Sequence, residues 1–136
     1  MSPESEVAER MAMAGHRSTE EVFEDHLALA QSGDVTTDLA RNFAPNCVLL
    51  TTYGVFSGHE GCREAAKLLD QQVGRTKYVY RRKMSEGQIA FLEWAVSNEQ
   101  AWINDGADSY WIRDGLIHAM TIHYTVHART PATAER

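Results

Sequence analysis

The sequence predicts a single α+β domain in which helices lie on one face of a curved, mainly antiparallel sheet. Its 136 residues, 43% of them hydrophobic, can build one core and leave no room for a second domain. Two Ser-x-x-Glu capping boxes introduce apolar residues at helical spacing in the first half of the chain. The second half lacks this period and is typical of β-strands separated by turns. Helices followed by a run of antiparallel strands favour the α+β class.

Three helices are predicted before the run of strands. The apolar spacing places them at about 18–32, 34–43 and 57–73. The first and the third start at the capping boxes Ser18-x-x-Glu21 and Ser57-x-x-Glu60. Each of these two helices also ends at a glycine, the residue favoured just past a helix C-terminus.

Apolar and β-branched runs predict five strands, at 47–53, 77–84, 88–97, 101–113 and 116–126. The dipeptides Glu86-Gly87 and Asp114-Gly115 are typical of the turns between antiparallel strands. Residues 1–17 show no clear turn signal and are predicted to be an N-terminal extension, helical or disordered. The domain is expected to cover residues 18–128, and the polar segment 129–136 to be a disordered tail.

Two of the strands are apolar on both faces. In the strand 88–97, Leu92 and Trp94 share one parity, while Phe91 lies on the other. In the next strand, 101–113, Trp111 likewise lies on the face opposite to that of its apolar neighbours in the sequence. Because helices cover only one face, the second apolar face predicts a homodimer in which Phe91 and Trp111 are buried.

Composition argues against several kinds of partner and cofactor. A net charge of −6 and a pI near 5.4 argue against nucleic-acid binding, which depends on clustered basic residues. No apolar run is long enough for a membrane helix, and the N-terminus lacks a secretory signal, so a cytoplasmic protein is expected. Cys47 and Cys62 show no metal-ligand spacing and are predicted to be reduced core residues. His118 and His123 have no convincing partner, so no metal and no cofactor are expected.

Three short motifs carry a resemblance to a known family: Gly33-Asp34, Phe43-Ala-Pro-Asn46 and Ile112-Arg-Asp-Gly-Leu-Ile117. Over about residues 18–126 their order resembles the nuclear-transport-factor-2-like superfamily, and in particular its SnoaL-like branch. The resemblance implies a cone-shaped α+β fold, often dimeric, with three N-terminal helices and a curved sheet that enclose a pocket. Such pockets belong to ketosteroid isomerases, limonene epoxide hydrolases, scytalone dehydratases, polyketide cyclases and non-enzymatic binders, so the fold alone does not select a function.

The resemblance argues against two of these reactions. The tyrosine and aspartic acid that stabilise the oxyanion in ketosteroid isomerases fall on His26 and Asp108, but the general base falls on Thr51. A threonine cannot take a proton from carbon at neutral pH. The Asp-Arg-Asp set of the epoxide hydrolases falls on Val96, Trp94 and Ile122, so its acid and its base are missing.

A mostly apolar, aromatic pocket remains, with one imidazole and one carboxylate. We expect His26 and Asp108 to form an acid/base dyad, with side chains about 2.6–3.2 Å apart. The predicted ligand-binding residues are Thr51, Tyr53, Trp94, Tyr110, Met120, Ile122 and Tyr124. Two structural alternatives to the dyad stay open. His26 can be a core histidine that hydrogen-bonds to another acceptor, and Asp108 can serve only in a turn.

Two functions are compatible with such a pocket. One is a cofactor-independent isomerase, cyclase, dehydratase or hydrolase acting on a small apolar or aromatic metabolite through the His26–Asp108 dyad. The other is a binding protein that uses the same pocket without turnover.

Overall fold

The computed structural model describes residues 17–129 and contains three helices and a seven-stranded sheet. The helices are α1 (Thr19–Ser32), α2 (Val35–Asn42) and α3 (Gly58–Val73). The strands are β1 (Phe43–Thr51), β2 (Gly54–Ser57), β3 (Val79–Glu86), β4 (Ile89–Ser97), β5 (Ala101–Arg113), β6 (Leu116–His123) and β7 (His127–Ala128). No helix in this range is long and apolar enough to cross a membrane.

The sheet runs in the order β2-β1-β6-β5-β4-β3, and β7 pairs with β5. All neighbours are antiparallel except β1 and β6, which join the two halves of the chain in parallel. The register shifts between Trp94 and Val96 where β4 meets β5, and again between Trp111 and Ile112 where β5 meets β6. Such irregularities bend a sheet. The curved but unclosed sheet, with helices on its concave face, confirms the predicted fold class.

The first capping box forms as predicted, and the second does not. The Ser18 hydroxyl accepts a hydrogen bond from the Glu21 amide, and the Glu21 carboxylate accepts one from the Ser18 amide. Ser57 stands at the N-cap of α3 but makes no capping bond with its side chain, so the prediction was wrong there. Instead, Gly58, with φ of 71°, follows Ser57 directly as the chain leaves β2.

Strand boundaries differ most from the prediction at the two ends of the sheet. β1 begins at Phe43 rather than at residue 47, because α2 leads into it without a connecting loop. β2 was missed, since it has only four residues and pairs with β1 across the tight turn after Thr51. The last long strand ends at His123, three residues before the predicted end.

Both ends of the described chain are held by hydrogen bonds. Arg17 donates to the carbonyls of Arg41 and Gly115, and Arg129 donates to the carbonyl of Asn98. The rest of the predicted extension 1–17 and tail 129–136 lies outside the described residues. Predictions about those segments therefore stay predictions.

The core lies between the helices and the sheet. Its largest fully buried side chains are Phe23, Ile103, Ile112, Ile117, Val22, Val73, Asn42 and Cys47. Cys47 and Cys62 are both buried and free, with their sulfur atoms 3.3 Å apart. Burial raises the pKa of the Cys62 thiol, so this side chain is a neutral packing group.

Candidate functional site

A cavity of about 520 Å³ opens between the helices and the concave face of the sheet. All nine predicted site residues line it: His26, Thr51, Tyr53, Trp94, Asp108, Tyr110, Met120, Ile122 and Tyr124. The parity assigned to the strands from the sequence is therefore correct. That these residues bind a ligand or catalyse a reaction stays a prediction.

His26 is held by a carboxylate, but not by the predicted one. Its Nδ1 lies 2.8 Å from Oδ2 of Asp38, and both side chains are buried. Among residues 17–129 no hydrogen bond joins His26 to Asp108, so the predicted dyad contact was wrong. The short turn between α1 and α2 brings Asp38 alongside His26, and helix–helix packing thus supplies the acceptor.

Asp38 is itself fixed by the fully buried Asn42, one helical turn further along α2. The Asn42 Nδ2 group donates to Asp38 Oδ1 at 2.9 Å and to Asp25 Oδ2 at 2.8 Å. Its Oδ1 accepts from the Arg17 guanidinium at 2.9 Å. Because every polar atom of the Asn42 side chain has a partner, the amide is fixed in place. Its hydrogen bond to Oδ1 then holds the Asp38 carboxylate with Oδ2 toward His26.

The other ring nitrogen of His26 faces the cavity. A carboxylate that accepts from Nδ1–H leaves Nε2 unprotonated in the neutral ring. Within the described chain Nε2 has no hydrogen-bond partner. Every fully buried side-chain nitrogen there does have a partner, so Nε2 is not fully buried. Because His26 lines the cavity, Nε2 is accessible from it. Phe43 and Tyr110 pack edge-on against the ring, with centroids 5.3 and 5.4 Å away.

Asp108 projects from β5 into the deep part of the same cavity. Its Oδ1 accepts from Trp94 Nε1 at 2.9 Å, and its Oδ2 accepts from the Tyr110 hydroxyl at 3.3 Å. Burial raises the pKa of this carboxyl to about 6, although both hydrogen bonds and nearby His26 oppose the shift. Asp108 therefore takes up a proton at a higher pH than an ordinary carboxyl group does.

Trp94 owes its position to a glycine on the neighbouring strand. Gly106 pairs with Trp94 across β4 and β5, and a Cβ on Gly106 would overlap the indole ring. The absent side chain lets the indole lie flat against the β5 backbone with its N–H directed at Asp108. Nothing in the sequence marked Gly106 as different from a turn glycine.

Sequence reasoning missed Asp38, Tyr78 and Tyr80 in the cavity lining, and it missed Asn42, which lies behind Asp38 and holds its carboxylate. Asp38 and Asn42 are spaced as i and i+4, and this polar pair on an apolar helix face was the signal available. Tyr78 and Tyr80 were hidden in a basic strand. The Tyr80 hydroxyl donates to the Leu27 carbonyl at 3.1 Å.

The tyrosine hydroxyls remain protonated donors at neutral pH. Burial raises the pKa of Tyr78 to about 12 and places the pKa values of Tyr80, Tyr110 and Tyr124 above their usual range. At the end of β1, the Thr51 hydroxyl donates to the Gly54 carbonyl and accepts from the Tyr53 amide. The turn between β1 and β2 therefore already uses this hydroxyl.

Solved structures of similar fold support this architecture. An NTF2-like protein of unknown function from Cytophaga hutchinsonii is 15% identical over 79% of this chain and 90% of its own, with a TM-score of 0.63. IdmH, a candidate polyketide cyclase from Streptomyces antibioticus, is 12% identical over 79% of this chain and 92% of its own, with a TM-score of 0.65. TerC, co-crystallised with polyporic acid, is 18% identical over 79% of this chain and 91% of its own, with a TM-score of 0.64.

At these identities the likeness is one of fold. No curated protein matches the sequence. The model of the SnoaL-like domain family, however, matches residues 23–120, from α1 to the cavity residue Met120. The chain belongs to the SnoaL-like domain family.

Proposed function

We propose that the cavity binds a small, flat, apolar or aromatic molecule and that His26 exchanges a proton with it, without a cofactor. The reaction is an isomerisation, cyclisation, dehydration or hydrolysis. The observation that carries this proposal is the state of one side chain: Nδ1 of His26 is held by Asp38, while Nε2 is open to the cavity.

This arrangement suits a general base. The neutral ring donates Nδ1–H to Asp38 and presents the lone pair of Nε2 to a ligand, from which it takes a proton. The ring is then an imidazolium, which the Asp38 carboxylate stabilises, and the proton can return to another atom of the same ligand. Asp108, whose pKa is raised to about 6, supplies a second acid/base group deeper in the cavity.

The remaining lining favours a flat ligand with few polar groups. Leu49, Leu92, Met120 and Ile122 give one apolar wall, and the Trp94 indole lies beside them. Aromatic side chains of this kind bind planar molecules by offset or edge-on packing. The fold relationship to IdmH and to the TerC complex with polyporic acid is compatible with a ligand of this type.

A binding protein without turnover is the second candidate. It is favoured by the hydroxyl of Thr51, which two hydrogen bonds of the β1–β2 turn occupy. Thr51 therefore adds no proton-exchanging group to the cavity.

We also propose that the convex face of the sheet forms a homodimer. Apolar side chains follow each other across four strands in register, from Ile89 to Trp111, Ala119 and Val48. Ile89 is 63% exposed and Trp111 is 42% exposed in the single chain. A second copy would remove this row from water.

A panel of small aromatic and alicyclic molecules tests the proposed activity. Binding is followed by thermal shift, and conversion of each bound molecule is followed by mass spectrometry and NMR. His26→Ala should abolish conversion and keep binding, because the aromatic wall remains. His123→Ala is the matched control, since His123 lies outside the cavity with a 63% exposed side chain. Conversion that survives His26→Ala contradicts the proposed role of His26, and binding without any conversion supports the second candidate.

A further inference from the structure

The cavity carries two basic side chains at its rim, Arg75 and Lys77, on the segment between α3 and β3. Both are exposed, and among residues 17–129 neither takes part in an ion pair. The one carboxylate at this rim, Asp70, pairs with neither of them. Their positive charge is therefore available to a ligand that enters the cavity.

The rim differs in charge from the rest of the molecule. The chain carries a net charge of −6, so its average field repels anions. The inner cavity is also acidic, because Asp38 and Asp108 are its ionisable carboxyl groups. Inside the cavity these two carboxyl groups disfavour an anionic group, whereas the rim offers two positive charges.

The rim and His26 stand at opposite ends of one helix face. The Arg75 guanidinium lies against the C-terminal end of α1, with Nη1 3.0 Å from the position that a Cβ would take on Gly33. His26 and Gly33 are seven residues apart on this helix, which corresponds to roughly 10 Å along its axis at about 1.5 Å per residue. A molecule that contacts both ends must therefore be roughly 10 Å long.

We propose that Arg75 and Lys77 select an anionic ligand: an aromatic or apolar body with one carboxylate, sulfonate or phenolate group. The anionic group remains at the rim, and the apolar body reaches inward toward Trp94 and His26. This inference rests on the proposed function of the cavity and specifies the class of molecule that it takes.

Two fluorescent probes with the same ring system separate charge from apolar contact. The anionic probe is 8-anilinonaphthalene-1-sulfonate, and the neutral probe is N-phenyl-1-naphthylamine. Each is titrated into the wild-type protein, the single variants Arg75→Gln and Lys77→Gln, and the double variant. Lys67→Gln is the matched control, because Lys67 carries the same charge on α3 but does not line the cavity. Competition between the two probes establishes that they share one site.

We expect the double variant to bind the sulfonate about three- to tenfold more weakly, the range expected from two exposed charge contacts. Its affinity for the neutral probe should stay within about twofold, and Lys67→Gln should change neither. Added NaCl should weaken sulfonate binding to the wild type more than to the double variant.

Equal effects on both probes, or an unchanged sulfonate affinity in the double variant, would overturn the inference while leaving the cavity a binding site. Failure of both probes to bind the wild-type protein would contradict the proposed cavity function as well.

Discussion

Asn42 lies one helical turn after Asp38, and its amide donates a 2.9 Å hydrogen bond to the carboxylate that holds His26. Asn42 is fully buried, and its carbonyl oxygen accepts from Arg17. A chain of hydrogen bonds therefore leads from an arginine at the start of α1 to the imidazole in the cavity. The orientation of His26 depends on residues that no ligand touches.

Asp38→Asn should change the tautomer of His26. In the wild type the neutral ring carries its proton on Nδ1, because Asp38 accepts there. An asparagine offers a weaker, neutral acceptor, so a fraction of rings should carry the proton on Nε2 instead. Nitrogen-15 chemical shifts of the ring measure this fraction, and Asp108→Asn is the control that should keep Nδ1–H. A substrate, once found, should be converted about a hundredfold more slowly by Asp38→Asn. A wild-type ring protonated on Nε2 would contradict the assignment.

Asn42→Ala should lower the free energy of unfolding by about 1–3 kcal/mol, since the buried Asp38 and the partly buried Asp25 each lose a donor. Urea unfolding followed by circular dichroism measures the change. Asn104→Ala is the control because this exposed residue makes no side-chain hydrogen bond among the described residues, and it should stay within about 0.5 kcal/mol. Equal stability of the two variants would show that the buried amide contributes little.

Asp108→Asn should alter the dependence of stability on pH. The pKa of Asp108 is raised from 3.8 to about 6, so the folded state binds this proton more tightly than the unfolded state. The carboxyl group therefore destabilises the fold at pH 7, and this cost disappears as the pH falls through 6 toward 4. Between pH 7 and pH 4 the wild type should gain about 2 kcal/mol relative to Asp108→Asn. Parallel unfolding curves at both pH values measure the difference, and a constant difference would exclude the raised pKa.

Gly106→Ala should displace the Trp94 indole. The added methyl group would overlap the ring, so the indole must move and its hydrogen bond to Asp108 must lengthen or break. We expect a loss of about 2 kcal/mol in stability and a changed tryptophan emission spectrum. Ser109→Ala, on the same strand, serves as the control. An unchanged spectrum and midpoint would mean that the sheet relaxes without moving Trp94.

Trp111→Lys should convert the proposed homodimer into monomers, because it places a charge in the middle of the apolar row. Multi-angle light scattering at micromolar concentration measures the mass. Thr36→Lys adds the same charge on the exposed side of α2 and should leave the mass of the dimer unchanged. A monomeric wild type at that concentration would contradict the interface.

The sequence was sufficient for the fold class and for the parity of the cavity strands, because alternating side chains and helical spacing are local properties. It assigned Trp94, Asp108 and Tyr110 correctly to the lining. The partner of His26 was assigned wrongly, since the choice between Asp38 and Asp108 depends on how α1 and α2 pack, which no local pattern records. The second capping box failed for a related reason. Ser57 has the required residue type, but Gly58 directly after it has a φ of 71°, and no local pattern records that backbone conformation.

The parallel pairing of β1 with β6 places Leu49 beside Met120 and Thr51 beside Ile122. These partners are about 71 residues apart in the sequence, so the wall that they form closes the longest loop of the sheet. During synthesis, α1, α2 and β1 leave the ribosome long before the strand that completes their sheet. Contacts of such wide separation form late and slowly. Ligand capture by this wall would therefore report that β6 has docked on β1, and a small molecule that enters the cavity would favour the completed sheet over its partly folded precursors.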